Sequence, residues 1–209
     1  MKDAATALTP LGVIVLGLLR EREMHAYEMM RLIRQRRDDR IVGASTGTLY
    51  HTVARLERQG LITEVGVDRD GNRPERTTYA VTDAGRAAAT AWVRRELPRI
   101  DRILEFRVAL SEAHELGRAD AAALLRERRT ALDEYAAGLR ASLADARARD
   151  VPYQFLVEIE REGALLDADL AWLDATLARL ADETTPWGVS ELPVKTLERL
   201  TAFRESVNT

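Results

Sequence analysis

The apolar positions of the chain open with a solid block. From Leu11 to Leu19 every residue is aliphatic or Gly, and Thr9-Pro10 stands just before it. Thr can cap a helix, and Pro suits the first helical position, where no amide hydrogen is needed. The block predicts a helix that is apolar on most sides, and so a core element. It is too short for a membrane span, which needs about 20 residues. It also runs into Arg20-Glu21-Arg22-Glu23 rather than a small-residue cleavage site. A second helix is predicted from His25-Ala26-Tyr27, with Tyr27, Met30 and Ile33 recurring inward and Arg31, Arg34, Arg36 and Arg37 on the wet side. Asp38 to Ala44 reads as a connector. Ser45 is a cap for a third helix, Thr46 to Gln59, which Gly60 stops.

The period then changes. Leu61 to Val67 reads as a strand, Asp68 to Glu75 is turn-rich, and Thr77 to Val81 reads as the returning strand. Thr82 caps a fourth helix from Asp83 to about Leu97, which Pro98 ends. Three helices and a two-stranded hairpin in this order are those of a winged helix-turn-helix domain. The remainder is helical. Ile100, Ile103, Leu104, Arg107 and Leu110 mark one helix; Leu125, Leu132, Leu139 and Leu143, with Tyr135, mark a long one. Leu166, Leu170, Leu173, Leu177 and Leu180 form a heptad-type seam, open at this point to a partner chain or to a bundle core. Thr185-Pro186-Trp187-Gly188 breaks that helix, and a short last one is predicted from Glu191 to Glu205. The expected fold is mainly α: a winged helix-turn-helix domain with a two-stranded β-wing at 1–97, a helical domain at 98–184, and a C-terminal extension at 185–209.

Charge sharpens this division. Residues 1–97 hold 16 Lys/Arg against 13 Asp/Glu, and residues 98–209 hold 15 against 21. A mildly basic front half can meet phosphate, while the acidic rear half faces away from it. No cysteine is present, so disulfides, thiol catalysis and cysteine-bound metal are excluded; this suits a reducing cytoplasm.

The third helix carries the chemistry. With Leu49 at the centre of the inner face, Val53 and Leu56 lie beside it, while Gly47, His51, Arg55 and Arg58 fall opposite, with Thr48 next to them. Small residues at the N-terminus and donors further along suit a major groove. Thr48, His51 and Arg55 are the candidates for base edges. Tyr50, Arg58, Arg69, Arg73 and Arg76 are the candidates for phosphate, with Asn72 in the wing; Tyr27 and Thr46 complete the DNA-facing set. Asp68, Asp70 and Glu75 weaken the positive field at the wing. On the wheel alone, a solvated face of an ordinary helix is the competing reading.

Several runs resemble the PadR-like transcriptional regulators: Thr9-Pro10-Leu11, His25-Ala26-Tyr27-Glu28, Ser45-Thr46-Gly47-Thr48-Leu49-Tyr50, Leu56-Glu57-Arg58-Gln59-Gly60-Leu61-Ile62, and Arg76 through Gly85. The resemblance covers residues 9–97. Residues 98–183 more loosely resemble the helical C-terminal domain of larger members, related to virulence activators, and 184–209 resemble nothing known. Thr46 departs from the family's usual Pro, but Thr also starts helices well. The resemblance implies a cytoplasmic homodimer whose C-terminal helices pair. It implies binding to an inverted repeat in double-stranded DNA, usually as a repressor, with release by a small effector in some members.

Other chemistry finds little support. His25, His51 and His114 are scattered, with no metal-ligand spacing, and no nucleophile elbow or phosphate-cradling loop is present, so no cofactor, metal or enzymatic activity is expected. Trp92, Trp172 and Trp187 are candidate walls for a small aromatic or hydrophobic effector. Trp92 stands first because it lies near the domain join, although core packing is the commoner use of Trp. The alternative function is a winged-helix module that docks proteins and binds no DNA.

Overall fold

The structure is a computed structural model and describes residues 8–68 and 76–206. Helix α1 (Pro10–Glu21) starts as its sequence predicts: Thr9 Oγ1 accepts from the Gly12 amide at 3.3 Å, and Pro10 takes the first position. Leu11 to Leu16, Leu18 and Leu19 are all buried, so α1 is a central rod. Packed on it are α3 (Thr46–Arg58), α4 (Asp83–Glu96), α5 (Ile103–Ser111) and strand β3 (Arg76–Val81).

Helix α2 (Ala26–Gln35) is capped by His25, whose Nδ1 accepts from the Glu28 amide at 3.1 Å. Its buried face is Ala26, Met29, Met30, Leu32 and Ile33, whereas Tyr27 is 53% exposed. Of the expected inward series, Met30 and Ile33 are buried and Tyr27 is not, because it falls about 60° short of a full turn from Met30, off the edge of the buried face. The series 26, 29/30, 33 holds one face.

Strand β2 (Ile62–Asp68) pairs antiparallel with β3, with one irregularity between Glu64 and Gly66. The other edge of β3 carries a two-residue strand β1 (Met24–His25), with Met24 opposite Tyr79 and His25 opposite Thr78. The sheet is therefore three-stranded, ordered β1-β3-β2, rather than the two-stranded wing expected. Two residues are too few for any periodicity to register. At the next corner Thr82 Oγ1 accepts from the Gly85 amide at 3.1 Å and donates to the Gly60 carbonyl at 2.8 Å, seating α4 on the chain that leaves α3.

Beyond α4, Ile103 and Leu104, two of the residues that mark the next helix in the sequence, open α5. Both are exposed, while Phe106, Val108 and Ala109 are buried. Phe106, Ala109 and Ala113 share one face, and it is this face that is buried. The Phe106 ring meets Trp172 edge-on at 6.4 Å, and the Arg128 guanidinium lies 3.4 Å over it. Helices α6 (Arg118–Ala148) and α7 (Val157–Ala181) form an antiparallel hairpin, flanked by the pairs Arg129–Asp174, Arg140–Asp167 and Arg147–Glu160. The leucine seam of α7 is spent inside this chain: Leu166, Leu170, Leu173 and Leu180 are buried in the same core as Leu125, Leu132 and Leu139.

A final helix α8 (Val194–Ser206) follows a segment tied back to the start of α6. The Arg118 guanidinium donates to the carbonyls of Asp182 (3.1 Å) and Thr185 (2.5 Å) and pairs with Glu191 at 2.6 Å; the Trp187 indole donates to the Leu116 carbonyl at 2.9 Å. Among the described residues no helix is long and apolar enough to cross a membrane.

Candidate nucleic-acid interface

Helix α3 is fixed at its first turn by a reciprocal cap. Ser45 Oγ accepts from the Thr48 amide at 3.1 Å, and Thr48 Oγ1 accepts from the Ser45 amide at 2.8 Å. The Thr48 hydroxyl also donates to the Ser45 carbonyl at 2.9 Å, so its polar capacity is committed to the helix start. Leu49, Thr52, Val53 and Leu56 form the buried face. The opposite face is open: Thr46, Gly47, Thr48, Tyr50, His51, Ala54 and Arg58 are all exposed.

Arg55 is placed differently from its expected neighbours His51 and Arg58. It is half-buried, its Nη2 donates to Thr9 Oγ1 at 2.7 Å, and its Nε is buried with no partner. Thr9 thus caps α1 and receives the cation of α3 with the same oxygen. The cause lies on the wheel: position 55 sits between the outward 51/58 stripe and the inward 52/56 stripe, and the long side chain folds along α1. Arg58 remains outside, with its Nε donating to its own helix at the Ala54 carbonyl, 3.2 Å away.

Tyr50 is 52% exposed, and behind α3 lies Tyr79 of β3. Burial pushes the Tyr79 hydroxyl above its ordinary pKa, and the Glu57 carboxylate adds to the shift, so this phenol stays neutral. Tyr27 stands at the start of α2 with its ring 6.3 Å from that of His25. Arg69, Asn72 and Arg73 lie outside the described residues; the backbone of Arg76 opens β3 opposite Asp68. Trp92 is 1% exposed and packs in the core. The tryptophan that borders a cavity is Trp187, which the sequence weighed less. No group of His, Asp or Glu among the described residues could hold a metal ion.

Three helices, a β-ribbon and a fourth helix, with the third turning an uncovered face outward, define a winged helix-turn-helix protein with a helical C-terminal region. Residues 15–91 match the model of the Transcriptional regulator PadR-like family. Several solved structures are similar. Bacillus subtilis PadR in complex with operator DNA is 20% identical, over 81% of this chain and 98% of its own, with a TM-score of 0.38. Streptococcus mutans UA159 smu.1604c is 23% identical over 84% and 98%, also at 0.38. Bacillus subtilis PadR in complex with p-coumaric acid is 18% identical over 83% and 100%, at 0.37. No curated protein matches the chain.

Proposed function

We propose that the chain is a cytoplasmic, homodimeric repressor that reads an inverted repeat in duplex DNA by inserting α3 of each copy into the major groove. The observation that carries this reading is the uncovered outer face of α3, with Gly47 at its closest-approach end and Tyr50, His51 and Arg58 along it. In this reading His51 meets base edges, and Tyr50 and Arg58 meet the flanking phosphates. Thr48 and Arg55 act as positioning residues, one closing the first turn and the other holding α3 on α1. Arg69, Arg73 and Arg76, with Asn72, would meet the backbone beside the groove.

One reading helix gives a small interface, so two half-sites about one helical turn apart are needed for a specific site. The surface left on the hairpin supports pairing through residues 98–184. Leu165 and Trp172, seven positions apart on α7, are 51% and 40% exposed although both are large and apolar. An effector that alters the spacing between the two copies would release the DNA.

The test is a gel shift on the chain's own upstream region, with size measured in parallel by light scattering. Wild type should bind as a dimer, and His51→Glu should abolish binding while leaving the dimer intact. A charge-reversed variant that still binds, or a monomeric wild type, overturns the reading. Retained pairing with no DNA bound by the wild type would favour a protein-docking module.

A further inference from the structure

A cavity of about 590 Å³ lies where α1, the end of α2, the end of α5 and the C-terminal segment meet. Ile14 and Leu18 of α1 form one wall; Trp187, Val189, Leu192 and Leu200 form the other. The C-terminal wall contributes no charged side chain to this lining. At the bottom lies Glu112, just past α5. Its carboxylate rests on Gly17: a Cβ there would stand 2.8 Å from Glu112 Cδ and 2.9 Å from Oε1, so only glycine lets the group lie flat on α1.

Every nearby cation is engaged elsewhere. Arg20 pairs with Glu115 at 2.7 Å and donates to the Arg86 carbonyl and the Thr90 hydroxyl, both at 2.6 Å. Arg36 pairs with Glu21 at 2.5 Å. The remaining ionisable neighbours are Asp38, after α2, and His114 and Glu115, on the turn after α5. Among the described residues none donates a hydrogen bond to the Glu112 carboxylate or pairs with it. The site thus has two apolar walls and one indole held in place by its bond to Leu116. Of the acids that line it, Glu112 has no ion pair or hydrogen bond among the described residues, although the Arg20 charge pulls against the upward shift of its pKa.

We propose that this cavity binds an organic cation, a protonated amine on a compact apolar or aromatic body, with Glu112 as its counter-ion and Trp187 as its stacking wall. An anionic ligand would meet the Asp38 and Glu115 carboxylates with no free cation to receive it. The ammonium supplies the missing partner, and the apolar body displaces water from the walls. Burial, aided by the Glu115 charge, pushes the Glu112 carboxyl up to about 8, so at neutral pH the empty site holds a proton. Binding of the cation ionises Glu112 and releases that proton to solvent, leaving the site neutral as a whole. The C-terminal extension thereby has a task of its own, since without Trp187 to Leu200 the acid would face open water.

The inference concerns binding alone, and its test contains no DNA, so it stands or falls apart from the repressor reading. Full-length protein is titrated with 2-phenylethylammonium and with 3-phenylpropionate, an anion of similar shape, by calorimetry in two buffers of different ionisation heat. The expected result is binding of the ammonium only, with proton release at pH 7. The affinity should rise about tenfold per pH unit below about 8 and level off above it. Glu112→Gln should fold, since the amide keeps the size and neutrality of the protonated acid. It should weaken binding by about ten- to hundredfold, as loss of a charge-assisted hydrogen bond does, and abolish the proton release. Gly17→Ala, which leaves the charge but pushes the carboxylate off α1, should weaken binding less. Equal binding of both probes, no binding of the ammonium, or an unchanged affinity in Glu112→Gln overturns the proposal.

Discussion

Gly85→Ala tests whether the corner between wing and α4 is as tight as the structure draws it. A Cβ at Gly85 would stand 3.0 Å from the Leu61 carbonyl carbon and 3.0 Å from Val81 Cγ2, and closer still to the Leu61 oxygen. The first two obstacles are backbone and a β-branched side chain, neither of which can swing aside. The helix start must therefore lift off residues 60–61 by something on the order of 1 Å. Two bonds made there stretch together: the Thr82 amide to the Leu61 carbonyl (3.1 Å) and the Thr82 hydroxyl to the Gly60 carbonyl (2.8 Å). Each contributes about 1 kcal/mol, and overpacking adds about 1–3 kcal/mol. The better helix propensity of Ala returns about 1 kcal/mol. The net cost is about 3 kcal/mol, or a fall in Tm of about 6–12 °C for a chain of this length. Gly43→Ala is the control, because nothing lies within 4 Å of a Cβ there and its φ is ordinary. Thermal unfolding followed by circular dichroism at one protein concentration decides the matter. If Gly85→Ala melted within about 2 °C of the control, the close approach of α4 to the chain after α3 would be refuted.

The other consequences can be read on the same instruments. Gly138 lies exposed in the middle of α6 with open space where a Cβ would go, so Gly138→Ala should raise stability by about 0.5–1 kcal/mol, seen as a Tm increase of about 2 °C. Glu112 holds its proton more tightly folded than unfolded, with its pKa raised from 4.5 to about 8. The stability this confers is complete below about 4.5 and is lost as the pH rises through about 8. The unfolding free energy of wild type, from urea titrations, should therefore fall across that window, by up to about 1.4 kcal/mol per pH unit, and that of Glu112→Gln should fall less. Thr9→Val removes the cap of α1 and the acceptor of Arg55, at a cost of about 1–2 kcal/mol. A double-mutant cycle with Arg55→Ala should then show coupling of at least about 0.5 kcal/mol; strict additivity would mean that the 2.7 Å contact contributes nothing.

The elements with regular period and conventional ends were legible residue by residue. Thr9-Pro10, Ser45, Gly60 and Thr82 mark their helix ends through local hydrogen bonds that depend on a few neighbouring residues. The β-ribbon was legible for the same reason, and the inner and outer faces of α3 follow from a rotation of 100° per residue. Legibility failed where tertiary contact chose between options of equal local merit. Tyr27 and Ile103 are apolar enough for a core, yet each lies outside because α2 and α5 are docked by Met29 and Phe106 instead. Arg55 and Arg58 are the same residue type three positions apart, but Arg55 stands nearer the inner stripe, and the bond to the Thr9 hydroxyl draws it out of the outer face. The leucine seam of α7 would read alike in a dimer or a hairpin; the charges flanking it, Arg129, Arg140 and Arg147 against Asp174, Asp167 and Glu160, match in descending order and so fit an antiparallel partner, which the folded chain supplies as its own α6.

The cavity was the least legible feature, for a reason that applies beyond it. A helix cap or a reading face is encoded over a few consecutive residues, but a site made of Gly17, Glu112 and Trp187 is spread over nearly the whole chain. Glu112 is one of 34 acidic residues, and nothing adjacent to it distinguishes it from the surface majority. What sets it apart is a balance of partners: Arg20 and Arg36 would neutralise it, but Glu115 and Glu21 hold them first. Such an allocation of a few cations among more acids depends on distances between four separate segments. Local sequence can show that acids and arginines are both present, and only the folded chain determines which acid is left without one.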